Sequence, residues 1–300
     1  MRIALATIVV GAAAASAAAC VPADESLELG SAAFRVVASR AAGAGVVTGD
    51  EHPDGTYGWV LRFDRVLLGF RTVTIGKVDD DERCAFRGRG ETNDVVFDPR
   101  AGLEQTFDGI RPTTCPDVGL ILGPPGDATG LGPGATSAGI VDLAQGRPAH
   151  AIVDVTADHG QERLTLHLRF ETDRTASRFG GCSSSAGKGI VVRANERTRS
   201  VLEFRPENLF FDAIASSATF RLSPFVLADR LGEPDGVVTM DEVDALPLVD
   251  VRELGPFYSL PDGTLGGSFG DYLRALFRFT FAYDVSGFCV GNAPGREAAR

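Results

Sequence analysis

Asp229, Glu233, Asp235 and Glu242 surround a glycine, Gly236, in a short stretch near the last quarter of the chain. Oxygen side chains on alternate positions before a sharp turn, with a glutamate six residues after it, suit a hard divalent cation. Counted from Leu231 as position 1, Glu233 falls at 3, Asp235 at 5, Gly236 at 6, Val237 at 7, Thr239 at 9 and Glu242 at 12. That is the spacing of an EF-hand calcium loop, in which position 7 offers its carbonyl and position 12 two carboxylate oxygens. Leu231 has no side-chain oxygen for position 1, and Pro234 stands at position 4. Asp229 replaces the missing first ligand if the start of the loop is widened. The same residues also suit a metal-free joint, with Thr239 capping a helix whose positive end favours Asp241 and Glu242. Weak calcium binding is therefore the expectation to be tested against a plain helix cap.

Other candidate chemistry is sparse. Glu51-His52-x-Asp54 contains metal-ligand types, and His150, His159 and His167 lie in or beside strand-like stretches. A copper or zinc site needs three or four converging ligands, and no spacing here demands one. Gly181-Cys182-Ser183-Ser184-Ser185-Ala186-Gly187 lacks the G-x-S-x-G spacing of a nucleophile turn. There is no P-loop, dinucleotide-binding glycine pattern or Cys-x-x-Cys. An envelope hydrolase is accordingly the least supported function, and no catalytic residue is expected.

The elements that must position these residues are mostly strands. Ala149–Ala157 places Ala151, Val153 and Val155 on one face. Arg163–Thr172 places Leu164, Leu166, Leu168 and Phe170 on one face, against Thr165, His167, Arg169 and Glu171 on the other. That period of two marks a sheet buried on one side, with Asp158–Gln161 as its hairpin turn. Strands are also expected at Phe34–Ala38, Tyr57–Phe70 and Arg71–Lys77, with Gly69 near a bend, and at Gly189–Arg193, Arg199–Phe204 and Ala218–Leu222. Short helices are expected at Pro224–Arg230, Asp241–Leu246 and Phe269–Phe281, the last with an aromatic tail equally suited to a strand. The Gly- and Pro-rich Gly119–Gly139 is expected to be a long loop.

The N-terminus bears on location. Met1-Arg2 is followed by an apolar and small-residue run from Ile3 to Ala19, then Cys20. One positive charge, a short apolar core and a small-residue end make a secretory signal peptide. Ala17-Ala18-Ala19-Cys20 suits lipidation of Cys20 after cleavage, although Ala17 stands where leucine is usual; ordinary secretion is the alternative. The remaining cysteines, Cys84, Cys115, Cys182 and Cys289, then number an even four. Four cysteines allow three pairings, of which Cys84–Cys115 with Cys182–Cys289 is favoured. Losing Arg2 with the leader moves the formal net charge from −11 to −12. So acidic a chain would repel nucleic-acid phosphates and gains no charge attraction to anionic lipid, which leaves the N-terminal lipid as its route to a membrane.

Gly58–Leu68 (GWVLRFDRVLL), Leu131–Thr136 (LGPGAT), Phe225–Leu246 and Gly270–Leu273 (GDYL), with Cys182 and Cys289, carry a resemblance. The chain resembles myxobacterial-type envelope lipoproteins whose loop commonly takes a fuller Asp-x-Asp-Gly-Asp-Gly form. The resemblance implies export, a mostly β body and a calcium-type loop, and it implies no reaction. The expected organisation is a signal peptide at 1–19, a lipidated N-terminus and tether at 20–31, and a mainly-β body at 32–222. The EF-hand-like loop and C-terminal helix, 223–300, should pack on the same single, β-sandwich-like domain. The expected function is an exported, non-enzymatic binding or scaffold module with an unknown protein or small-molecule partner; a periplasmic copper- or zinc-handling protein is the alternative.

Overall fold

The structure is a computed structural model that describes residues 28–49, 58–76, 94–115, 117–171, 177–184, 187–214, 218–255, 258–261, 263, 266–284 and 287–291. Within them the chain opens with β1 (Gly30–Ala38), α1 (Arg40–Ala44), β2 (Val46–Val47) and the long β3 (Val60–Gly76). Short strands follow: β4 (Val95–Phe97), β5 (Leu103–Ile110), β6 (Thr113–Cys115), β7 (Asp117–Leu122) and β8 (Gly130–Leu131). After α2 (Ser137–Ala144) comes the hairpin of β9 (Ala149–His159) and β10 (Glu162–Glu171). Then come β11 (Ser177–Ser184), β12 (Gly187–Lys188), β13 (Ile190–Val192) and β14 (Arg197–Phe204). The last stretch alternates: α3 (Ser223–Leu231), β15 (Val237–Thr239), α4 (Met240–Ala245), α5 (Leu248–Val251), α6 (Phe269–Phe277), β16 (Phe281–Tyr283) and β17 (Gly287–Gly291). No helix among the described residues is long and apolar enough to cross a membrane.

The fold is mainly β, as expected, and most strands join one curled sheet in the order β15-β10-β9-β3-β7-β11-β17-β16-β14-β1-β5. β3 is the spine: its first half pairs with β9 and its second half with β7, with a register shift on each side. The curl brings β5 back to β3. There the Gln105 side chain accepts a hydrogen bond from Val73 N–H at 2.7 Å and donates to Thr72 Oγ1 at 3.1 Å. Beside the register shift between Phe70 and Thr72, a side-chain amide thus satisfies a backbone N–H that would be costly to leave unpaired.

The concave face holds one core, to which strand and helix residues both contribute. Leu164, Leu166, Leu168 and Phe170 are buried from β10, and Ala151, Val153, Val155 and Ala157 from β9, following the alternation in the sequence. Helix α6 drops Phe277 between the sheets' aromatics, stacked on Phe170 with centroids 4.3 Å apart and edge-on to Phe179 at 5.8 Å. Its start is fixed by a capping box between Ser268 and Asp271. The segment from 223 onward is therefore more than an elaboration: it contributes β15, β16 and β17 to the sheet and Phe269, Leu273 and Phe281 to the core.

Several expectations need correction. The Tyr57–Phe70 and Arg71–Lys77 runs are one strand, β3, with Tyr57 and Lys77 themselves outside the described residues. Gly69, expected near a bend, lies inside β3, where a Cβ would lie 2.1 Å from the Gly123 carbonyl oxygen. Gly119–Gly139 is not a continuous loop: β7 reaches Leu122, β8 covers Gly130–Leu131 and α2 begins at Ser137. Gly119 is a strand residue, and its lack of a side chain lets the Phe179 carbonyl approach to 2.4 Å from where a Cβ would be. Ala218–Leu222 forms only an isolated bridge, Phe211 with Phe220. The aromatic tail of the third expected helix leaves the helix after Phe277 and starts β16 at Phe281.

Candidate functional site

The Asp229–Glu242 stretch is a helix–loop–strand–helix joint at the edge of the sheet. Helix α3 ends at Leu231, and β15 then runs parallel to β10, with Val237 opposite Thr165 and Thr239 opposite His167. Val238 and Val243 are fully buried, so the hydrophobic residues on either side of Thr239 pin the joint to the core. Gly236 takes φ +79°, a left-handed conformation that a side chain would strain. Its N–H donates to Asp229 Oδ1 at 2.9 Å, and its carbonyl accepts from Thr165 N–H at 2.8 Å.

The loop carboxylates are turned onto the chain's own donors. Glu242 Oε2 accepts from Thr239 N–H at 2.8 Å and from Thr239 Oγ1 at 3.0 Å, completing a capping box at the start of α4. Glu242 Oε1 accepts from Glu233 N–H at 3.1 Å, at a place kept open by Gly232, whose added Cβ would lie 2.6 Å from that oxygen. Asp235 Oδ1 accepts from Val237 N–H at 2.8 Å, while the Glu233 side chain is exposed. Among the described residues no three of His, Cys, Asp or Glu are grouped to hold a metal ion. In this arrangement both Glu242 oxygens accept from the chain's own N–H and O–H groups.

The histidines are dispersed in role. His150 is buried at the start of β9, its ring 5.0 Å from that of Phe277, and burial alone pulls its pKa down to about 4. His159 lies against Trp59, with ring centroids 5.6 Å apart. His167 Nδ1 meets Asp154 Oδ1 at 3.1 Å on the outer face of the sheet. His52, with Glu51 and Asp54, lies outside the described residues, as do Cys20 and Cys84. Cys182 and Cys289 form a disulfide joining β11 to β17. Cys115, the expected partner of Cys84, is buried on β6 beside Ile190. With Cys182 in the disulfide, Gly181–Ser184 forms the end of β11.

A feature missed by motif reasoning lies between α2, the outer face of β3, β9 and β10, and the start of α4. It is an open cleft of about 390 Å³, lined by Arg65, Asp142, Gln145, Asp154, His167, Arg169, Glu171 and Asp241 among others. Arg65 Nε donates to Asp154 Oδ2 at 2.6 Å and its Nη1 to Asp142. Desolvation works against the Arg65 charge, but these two carboxylates more than offset it and raise its pKa. Arg169 donates to the carbonyls of Asp142, Leu143, Gln145 and Arg147, closing the last turn of α2. Burial lowers its pKa, and Glu171 and Asp142 only partly oppose that. The signal was present in the sequence as the polar face of the Arg163–Thr172 alternation, but nothing in that period says what faces it.

The chain matches no protein-family model, curated protein or solved structure with which it was compared.

Proposed function

We propose that this chain is an exported envelope protein, anchored through a lipid on Cys20, that acts as a non-enzymatic binding or scaffold module. The observation that carries export is the buried Cys182–Cys289 disulfide, because such bonds persist in oxidising compartments and are rare in reducing ones. The leader-like Met1–Ala19 segment and the resemblance to envelope lipoproteins support the same reading. Fractionation of cells producing the wild type and Cys20→Ser tests it. The wild type should sediment with membranes and carry a lipid-sized mass at Cys20, and the variant should be released. A wild type already soluble and unmodified at Cys20 refutes the anchor.

The joint is best read as a metal-free lock between α3, the sheet and α4, supported by the N–H donors that hold Glu242. The second reading, a weak calcium loop, is favoured by the Asp229–Gly236 bond, which puts a carboxylate where a widened loop would need its first ligand. A loop of this kind would have a dissociation constant of roughly 10⁻⁴–10⁻³ M. Ten-fold excess over that constant adds about 1.4 kcal/mol, a rise in melting temperature of roughly 2–5 °C. Equal melts in millimolar calcium and in chelator support the lock. A rise in that range that disappears in Glu242→Gln establishes calcium.

A further inference from the structure

We propose that the cleft between α2 and the start of α4 is the ligand site of this module, and that its ligand is a small organic cation bearing an ammonium or guanidinium group. The cleft's volume of about 390 Å³ lies in the range of small-molecule pockets, which run from roughly 300 to 1,000 Å³. Its selectivity follows from which polar groups are already engaged. Both arginines donate inward: Arg65 to Asp142 and Asp154, Arg169 to four backbone carbonyls at the end of α2. The bonds of Arg65 use Nε and Nη1 and those of Arg169 use Nη1 and Nη2, so most of their donor capacity and charge is spent within the protein. The acceptors are the reverse. Asp241 has no hydrogen-bond or ion-pair partner among the described residues, and Glu171 has only loose ion pairs, at 3.6 Å to Arg147 and 3.8 Å to Arg169. Asp154 holds His167 through Nδ1, which leaves Nε2 as the ring nitrogen for the cleft. Ile152 and Met240 supply apolar lining for a short hydrocarbon stem. Two arginines stand against the carboxylates of Asp142, Asp154, Glu171 and Asp241, in a chain whose formal net charge is −11. A mixed polar and apolar concavity whose cations are internally neutralised selects a donor-rich, positively charged guest.

The inference rests on the binding-module reading, but membrane fractionation does not involve this cleft, so either can fail without the other. The test is calorimetric titration of the mature protein with agmatine, with neutral 1,4-butanediol and with anionic glutarate, each taken to about 10 mM. Agmatine alone should bind saturably. Asp241→Asn and Glu171→Gln should each weaken it by about five-fold, whereas Asp108→Asn, an exposed carboxylate on β5, should leave it unchanged. Far-UV circular dichroism of each variant should match the wild type. Absence of saturation by agmatine, preference for butanediol or glutarate, or undiminished binding by the Asp241→Asn/Glu171→Gln double variant overturns the proposal.

Discussion

His150 should make this protein acid-sensitive, and replacing it with leucine should remove that sensitivity. The side chain is only 5% exposed, and neither ring nitrogen has a hydrogen-bond partner. It lies against the Phe277 ring, in an aromatic neighbourhood that offers a proton no counter-charge. Burial takes its pKa from 6.5 down to about 4, with no other cause contributing. Above pH 6.5 neither the folded nor the unfolded chain carries the proton, so this residue adds no pH dependence there. Between 6.5 and about 4 the unfolded chain binds the proton and the folded chain does not, so stability is lost as the pH falls. At 1.36 kcal/mol per pH unit the loss reaches about 2 kcal/mol by pH 5 and about 3 kcal/mol by pH 4. His150→Leu cannot take up a proton in either state. It also removes two unpartnered buried nitrogens, each of which costs about 1–3 kcal/mol.

The assay is a pair of urea or thermal melts, at pH 7.5 and pH 5, for wild type and His150→Leu. Other groups titrate in both proteins and cancel when the wild-type-to-variant gap is compared between the two pH values. The gap should widen in the variant's favour by about 2 kcal/mol, or about 4–8 °C in melting temperature. An identical gap at both pH values would mean that the ring is hydrated or partnered in the folded protein, and the reasoning from its burial would be refuted.

Two further outcomes follow from the geometry. Cys182→Ala with Cys289→Ala opens a link spanning 107 residues and should lower the unfolding free energy by about 2–5 kcal/mol in denaturant melts; an unchanged midpoint would show that the β11–β17 pairing is secure without it. Arg169→Met leaves the carbonyls of residues 142, 143, 145 and 147 without their donor, at a cost of about 1–3 kcal/mol. Amide exchange should accelerate selectively across Ser137–Arg147, and unaltered protection there would show that α2 does not depend on this side chain.

Where one periodicity governed a segment, the sequence was a good guide. The β9–β10 hairpin was legible because alternate burial is a one-body property: Leu164, Leu166, Leu168 and Phe170 each meet the same core. Strands defined by what lies beside them were not legible. Gly119 reads as loop punctuation, yet it is a strand residue selected by the approach of the Phe179 carbonyl. β5 is half polar (LEQTFDGI), and its place is set by its antiparallel pairing with β1 and by the Gln105 bridge to β3. The cleft was illegible for the same reason. Arg65, Asp142, Asp154 and His167 come from four elements, and only the sheet order makes them neighbours.

The Asp229–Glu242 joint shows the opposite limit, where local sequence is informative and still ambiguous. A cation and a row of backbone N–H groups ask the same thing of a loop: oxygens at fixed intervals around a left-handed glycine, ending in a glutamate at the third position of a helix. The calcium spacing and the capping box therefore share Thr239 and Glu242, and no count of positions can separate them. Convergence separates them. A calcium loop must point its oxygens inward at one centre, whereas here Asp229 reaches Gly236 N–H, Asp235 reaches Val237 N–H, and Glu242 spans Glu233 N–H and Thr239 N–H. Each carboxylate serves a different donor, so the loop is closed by several local bonds. Recruiting calcium would require Glu242 to release both the Glu233 N–H and the helix cap. A lost cap costs about 1 kcal/mol, a cost that the dissociation constant of the loop would already contain. Glu242 is both the twelfth position of the calcium spacing and the cap of α4, so the melts of wild type and Glu242→Gln in calcium and in chelator decide between the two readings.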